Sequence, residues 1–381
     1  MDLQSILSSV LDEVYEKNEY PALAALESEW THTRPFEGLR VLVATPIYRN
    51  TMTEYRALVA GGADLLVGFS GMNDPDVVDF MREWGVPVVT PAEMLEDETR
   101  GEFVDLVLDC AGPFAVLHPK IGFVELTRSG VHYYKDAEKP VYVADSGIVK
   151  RIETSLGTGD GYFRALEKLG FGGDFEGKKL LVFGSGKVGS GIALQGVRRG
   201  CNVTVVTDLK HGQSAASETM PAGDFSAVLE QNDVAVVDCH DYATVASLIE
   251  NSDFVVTATG VKNALATPEL TEALLSTQAN LANMGVEDEY GEAVPAEKVL
   301  NAKGPLNFIL EEPTHLKYID TSLALHAALA ERLVQETATL EDGLHFPPQE
   351  IEQRLLTIAI QNGVIGPEIC SMLGGIPAEM D

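Results

Sequence analysis

Residues 180–208 constrain this chain more than any other stretch. An apolar run of strand length, Leu180-Leu-Val-Phe183, enters Gly184-Ser185-Gly186-Lys187-Val188-Gly189, a complete G-x-G-x-x-G. An apolar helical pattern follows (Ile192, Ala193, Val197), then a second strand-like run from Val203 that ends in Asp208. Strand, glycine turn, helix, strand and acid in this register predict a βαβ unit that binds a dinucleotide. Gly184 permits the tight turn, Gly186 lets backbone approach a pyrophosphate, and Gly189 lets helix pack on strand. The helix start, with Ser185, Lys187 and Val188 around it, offers unpaired N–H groups and a positive dipole end to the phosphates. Asp208, roughly 20 residues past the turn, accepts hydrogen bonds from the ribose hydroxyls and favours NAD over NADP. Lys210 and His211 pull the other way, since nearby cations serve a 2′-phosphate.

Composition removes several classes. At 381 residues the chain suggests two domains, each long enough to bury a core. A net charge of −31 argues against nucleic acid and against an anionic membrane as partner. No run approaches the roughly 20 apolar residues of a membrane span, and the N-terminus has no basic, signal-like region. The four cysteines (Cys110, Cys201, Cys239, Cys370) are scattered, with no C-x-x-C and no metal-ligand spacing. They read as reduced thiols in a cytoplasmic protein without a metal. No G-x-S-x-G elbow, H-E-x-x-H or P-loop is present.

The rest of the chain alternates strand and helix patterns, which predicts an α/β fold of two doubly wound parallel-sheet domains. Amphipathic helices are expected within 2–30. Strands are expected over 39–45, 63–69, 86–89, 103–109 and 140–145, and helices over 53–60 and 74–84, the latter capped by Asp74. Thr45, Ser70, Asp109 and Asp145 occupy the strand ends, where ligands of such sheets gather. A long helix over 157–169 leads into the second domain, with strands over 180–183, 203–208, 234–238, 254–259, 279–283 and 307–310. Helices close the chain over 321–340 and 351–360. The expected division is a substrate domain at 1–156, to which 321–355 returns, a Rossmann domain at 157–320, and a tail at 356–381.

Several stretches resemble S-adenosylhomocysteine hydrolase, across roughly residues 38–355. Leu108-Asp109-Cys-Ala-Gly-Pro113 is similar to that family's Leu-Asp-Asp-Gly-Gly-Asp. Glu125-Leu-Thr-Arg-Ser-Gly-Val-His132 is similar to its Glu-Glu-Thr-Thr-Thr-Gly-Val-His. Asp145-Ser146, with Gly157 twelve residues beyond Asp145, matches its Asp-Ser…Tyr-Gly-Cys segment. Thr257-Ala258-Thr259-Gly260, Asn283-Met-Gly285, Leu310-Glu311 and Gly343-Leu-His-Phe-Pro347 continue the series. The resemblance implies a substrate domain and an NAD domain hinged across a cleft, in a homodimer or homotetramer that holds NAD tightly. It also implies that Thr257, Ala258, Thr259 and Asn283 line the cofactor, and that Thr127 and Ser129 hydrogen-bond it.

The family's proton-moving groups do not carry over. On a gapless match its lysine falls on Val149, with Lys150 one place off, and its partner aspartate on Glu153. Its second aspartate falls on Cys110, its second glutamate on Leu126, and a histidine on Val286. Valine and leucine move no protons, so the standard hydrolase mechanism is dismantled.

New charged groups stand in the same segments. Tyr48 and Arg49 follow the first strand, and Arg128 offers a two-pronged grip on a carboxylate. His118 and Lys120 follow the Asp109 strand. His315, Lys317 and Asp320 lie toward the return to the first domain. A hydride transfer needs one base near operating pH, and Lys150, His118, Lys120 and His315 are the candidates in that order, with Glu153 and Asp109 beside them. As a set they suit a small anionic or amino-acid-type substrate. The leading expectation is therefore an NAD-dependent oxidoreductase or internal-redox lyase. A divergent nucleoside-thioether hydrolase and a non-catalytic NAD-binding protein are the alternatives.

Overall fold

A computed structural model describes residues 2–69, 71, 73–145, 147–209 and 234–373. It divides into two compact units, one of residues up to 150 together with those from 316 on, the other of 151–315.

The first unit opens with helices α1 (Leu3–Leu11) and α2 (Pro21–Thr33). Strand β1 (Arg40–Val43) follows, flanked by parallel neighbours on both edges and buried at Val41, Leu42 and Val43. Strands covered on both faces read as continuous apolar runs, which is why this one was visible in sequence. Helix α3 (Met52–Ala60), strand β2 (Asp64–Gly68), helix α4 (Pro75–Glu83), strand β3 (Val88–Val89) and helix α5 (Pro91–Thr99) come next. The Asp74 side chain accepts from the Asp76 amide at the start of α4. A Thr90–Glu93 capping box starts α5, a helix that the sequence pattern did not reveal. Strands β4 (Leu106–Asp109), β5 (Gly122–Glu125) and β6 (Pro140–Val143) and the short helix α6 (Ile148–Arg151) complete this half.

The second unit begins with a π-helical turn, Ile152–Gly157, that runs into α7 (Thr158–Lys168). Its sheet has five parallel strands, β7 (Lys179–Phe183), β8 (Asn202–Thr207), β9 (Ala235–Asp238), β10 (Phe254–Thr257) and β11 (Asn280–Asn283), in the order β11-β10-β7-β8-β9. Helices α8 (Lys187–Arg198), α9 (Tyr242–Glu250) and α10 (Pro268–Ser276) cross between strands. The strand expected over 307–310 is instead a 3-10 turn, Leu306–Ile309. Pro305 sets its entry φ at −56°, and Leu306 turns into the apolar core of the unit.

The chain returns through α11 (Leu316–Glu336), strand β12 (Gly343–His345), α12 (Gln349–Asn362) and α13 (Gly366–Met372). β12 pairs with β6 and gives a seven-stranded parallel sheet, β12-β6-β5-β4-β1-β2-β3. The return starts at 316, and Gln349–Asn362 and Gly366–Met372 form helices of the first unit. No described helix is long and apolar enough to cross a membrane.

Asp320 on α11 reads in sequence as a hinge charge, but it is a buried cap. Its two carboxylate oxygens accept from the Ala22 and Leu23 amides, both at 2.9 Å, where α2 begins. Burial outweighs these bonds and pushes the carboxyl up from 3.8 to about 7. A raised folded value means the native state holds the proton more tightly than the unfolded chain. The associated stability is full below the unfolded value and is lost as pH rises through about 7. Urea unfolding should lose up to about 4 kcal/mol between about pH 4 and about pH 8 from this group. Asp320→Asn should flatten that part of the profile while losing one hydrogen bond at every pH.

Candidate functional site

β7 lies between β8 and β10, where the strand order of the second sheet reverses. Open α/β sheets bind ligands off the carboxyl ends of strands at such a point. Gly184, the residue after β7, has φ +103°, and a Cβ there would sit 2.5 Å from the Ala258 carbonyl oxygen. A Cβ on Gly189 would sit 2.0 Å from the Gly184 oxygen, whereas one on Gly186 would meet nothing within 4 Å. The first and third glycines are thus demanded by the fold. The second leaves open space where a pyrophosphate approaches backbone.

The rest of this turn is tied down from inside. The Ser185 hydroxyl lies 2.8 Å from that of Thr207 at the end of β8, and the Ser190 hydroxyl donates to the Ser185 carbonyl at 2.7 Å. Lys187 opens α8 and Val188 packs on the core. Asp208, half-buried, directly follows β8. Lys210 and His211 lie outside the described residues. Glycine cradle, helix start and acid together fit NAD.

Two expected cofactor ligands are fully buried and their hydrogen bonds are used within the protein. Asn283 Oδ1 accepts from the Thr257 hydroxyl and the Gly285 amide, and Nδ2 donates to the Gly285, Glu287 and Lys303 carbonyls. The Asn283 amide is thus saturated by partners within the second unit, and the Thr257 hydroxyl is one of them. Thr259 donates through its amide and hydroxyl to the buried Glu289, which also accepts from the Gly260 amide. Glu289 thereby holds the loop after β10.

In the first unit the reversal point falls between β1 and β4. Asp109 and Glu125 are register partners at the ends of β4 and β5, and both are fully buried. Asp109 accepts from the Cys110 amide (2.8 Å), the Phe114 amide (2.9 Å) and the Tyr134 hydroxyl (2.6 Å). Burial, opposed by the Tyr134 bond and reinforced by the charge of Glu125, pushes Asp109 up to about 6. Glu125 Oε1 accepts from the Ala111 and Thr127 amides and from the Thr127 hydroxyl, the last at 2.6 Å. Its Oε2 is buried with no hydrogen-bond partner among the described residues.

The loop after β5 wraps this carboxylate. A Cβ on Gly130 would lie 2.4 Å from it. The Thr127 hydroxyl, already donated to Glu125, also lies 3.0 Å from Ser129 Oγ. The Arg128 amide donates to Asp145 while its side chain is exposed. Tyr48, half-buried, and Arg49, exposed, follow β1. Ser70 and Ser146 lie outside the described residues. Glu352 from α12, another residue that the sequence pattern did not single out, accepts from the Val149 amide at 3.0 Å.

Other expected members lie elsewhere. His118 meets Glu98, and Lys120 Nζ donates to Asp105 at 2.9 Å while its amide donates to the Val104 carbonyl. Both therefore lie at the amino ends of β4 and β5, opposite Asp109 and Glu125. Sequence order placed them after a strand end, but the 110–121 loop carries them back across the sheet. His315, in the second unit, lies 3.6 Å from Asp160, which also pairs with Arg164 and Arg199. The Lys317 ammonium, in the first unit, stands 5.0 Å from the Tyr318 ring centroid. Lys150 is 3% exposed in α6, and Glu153 is half-buried in the π-helical turn. Val149, Leu126 and Cys110 are packed into the apolar core of the first unit.

A family model described as putative NAD(P)-binding matches residues 173–280. The chain is 24% identical over 401 residues to the S-inosyl-L-homocysteine hydrolase of Methanopyrus kandleri, covering 91% of this chain and 89% of that protein. It is 25% identical over 404 residues to the adenosylhomocysteinase of Sulfolobus acidocaldarius, covering 92% and 90%. Among solved structures, a dipicolinate synthase subunit from Bacillus halodurans aligns with a TM-score of 0.48 at 14% identity, over 80% of this chain and 99% of that one. The chain is thus similar, at a distance and with divergence, to the S-adenosylhomocysteine hydrolases, and its cofactor is NAD.

Proposed function

We propose that the protein is an NAD-dependent oxidoreductase, or internal-redox lyase, acting on a small anionic or amino-acid-type substrate. One observation carries this reading. Val149, Leu126 and Cys110, which stand where the resemblance puts proton-moving groups, are buried in the core and tied to apolar neighbours. The glycine cradle and Asp208 retain what NAD needs. Bound NAD supplies a hydride acceptor.

The chain's own residues do the rest. The Arg128 and Arg49 guanidiniums grip a substrate carboxylate in a bidentate pair. Lys150, desolvated in α6, takes the hydroxyl or amino proton as the hydride leaves carbon. Asp109 and Tyr134 fix the loop that carries Cys110, and Thr127 is held by Glu125. The working form is a homodimer or homotetramer.

Two incubations of NAD-loaded protein test the reading. A panel of 2-hydroxy and 2-amino acids is screened for NADH formation, and S-adenosyl- and S-inosyl-homocysteine are followed by chromatography for release of nucleoside and homocysteine. NADH formed with a small acid is the expected result. Release of nucleoside and homocysteine at enzymatic rates overturns it in favour of a hydrolase. Neither product, with NAD bound, overturns it in favour of a non-catalytic protein. With the substrate in hand, Arg128→Gln should lower kcat/KM about ten- to a hundredfold, mostly through KM.

A further inference from the structure

We propose that Asp208, Cys239 and His240 form a site for a divalent transition-metal ion of the zinc class, and that the ion competes with NAD for Asp208. The sheet assembles this set from distant segments. Thr207 and Asp238 are register partners in β8 and β9, and the Cys239 amide donates to the Thr207 carbonyl at 2.9 Å. The residues that follow, Asp208 on one strand and Cys239-His240 on the other, therefore come together at the carboxyl edge. One ligand atom from each of the three lies within 4.8 Å of the others.

The chemistry and the spacing agree. Thiolate, imidazole and carboxylate together select zinc or cobalt over magnesium or calcium, which want oxygen alone. A tetrahedral ion with its sulfur ligand at about 2.3 Å and its nitrogen ligand at about 2.0 Å puts those two atoms about 3.5 Å apart. Cys239 Sγ and His240 Nδ1 are 3.5 Å apart. The surroundings are anionic. Asp238 Oδ1 lies 3.0 Å from His240 Nδ1, and burial together with the charges of Asp208 and Asp238 holds the Cys239 thiol above its ordinary value. A cation reverses that balance. The His240 side chain is 47% exposed, so the edge is reachable from solvent.

Binding is coordination without redox change. Cys239 gives its thiol proton to solvent, and His240 carries its remaining proton on Nε2 so that Nδ1 ligates. Three protein ligands leave a fourth position to water. Asp208 cannot then accept from the ribose hydroxyls, so metal and cofactor exclude each other.

Co2+ is the probe, titrated into the full chain with and without saturating NAD. NAD binding to the metal-free protein is measured separately, so that a failure of the cofactor crevice is distinguishable from a failure of the metal site. The expected result is a sulfur-to-cobalt charge-transfer band that saturates at one equivalent. It should vanish in Cys239→Ser, need at least about tenfold more Co2+ in His240→Ala, and be suppressed by NAD. Absence of the band, or its persistence in Cys239→Ser, overturns the site. A band indifferent to NAD overturns the competition. His240→Ala alters a half-exposed side chain and keeps the test valid should Cys239→Ser fold poorly.

Discussion

Gly186→Ala should leave the melting temperature unchanged and weaken NAD binding about ten- to a hundredfold, whereas Gly189→Ala should lower both. The two glycines stand three residues apart in one turn but meet different neighbours. A methyl on Gly186 enters open space, so the folded protein tolerates it, and only a ligand that comes up against the backbone encounters it. A methyl on Gly189 lands 2.0 Å from the Gly184 oxygen, so α8 must move off the end of β7. Overpacking of that kind costs about 1–3 kcal/mol, and each 1.4 kcal/mol lost from binding is a factor of ten. Equilibrium dialysis with NAD and thermal unfolding on the same two samples read both effects. Equal NAD affinity in Gly186→Ala and the parent would mean that no pyrophosphate approaches this backbone.

What the sequence made legible follows from how local each feature is. β7, the glycine turn, α8, β8 and Asp208 form one contiguous supersecondary unit, so periodicity and spacing reveal it whole. Gly122–Glu125 is a central strand of the first sheet, yet its four residues and absence of alternation hide it between loops. The apolar run at 307–310 imitates a strand, because burial demands Leu306 in the core whether or not a ladder continues. The candidate site was legible only where chain order and sheet position coincide. Asp109 ends one strand, Arg128 follows another, and both lie at the carboxyl edge. His118 and Lys120 follow the same strand in sequence, but the connection takes them to the far edge. The cluster of Asp208 with Cys239 and His240 has no spacing signature, because β8–β9 pairing creates it. Thr257 and Asn283 illustrate a different limit, since motif matching does not say whether a polar side chain faces a ligand or the inside of its own loop.

His326→Leu should destabilise the first unit by about 3–5 kcal/mol, while Glu54→Leu/His326→Leu should recover most of that loss. Both residues are fully buried, Glu54 on α3 and His326 on α11. The Nδ1 of His326 lies 2.9 Å from Glu54 Oε1 and its Nε2 lies 3.0 Å from the Val124 carbonyl. Both partners are acceptors, so both ring nitrogens donate and the imidazole is held as a cation. Burial alone would push its pKa down, but the Glu54 carboxylate overrides that and raises it above 6.5. Removing the ring strands Glu54 as a buried charge, whereas removing both replaces a desolvated pair by apolar packing. The sign of the pH effect follows from the raised folded value. Stability from the pair is full below the unfolded value near 6.5 and is lost as pH rises through the folded one. Urea unfolding across that window should show the loss in the parent and not in the double variant. Val124 directly precedes Glu125, so the same pair pins the end of β5 on which Glu125 and Thr127 depend. A double variant that regains stability but turns over more slowly would assign this buried pair a positioning role as well as a structural one.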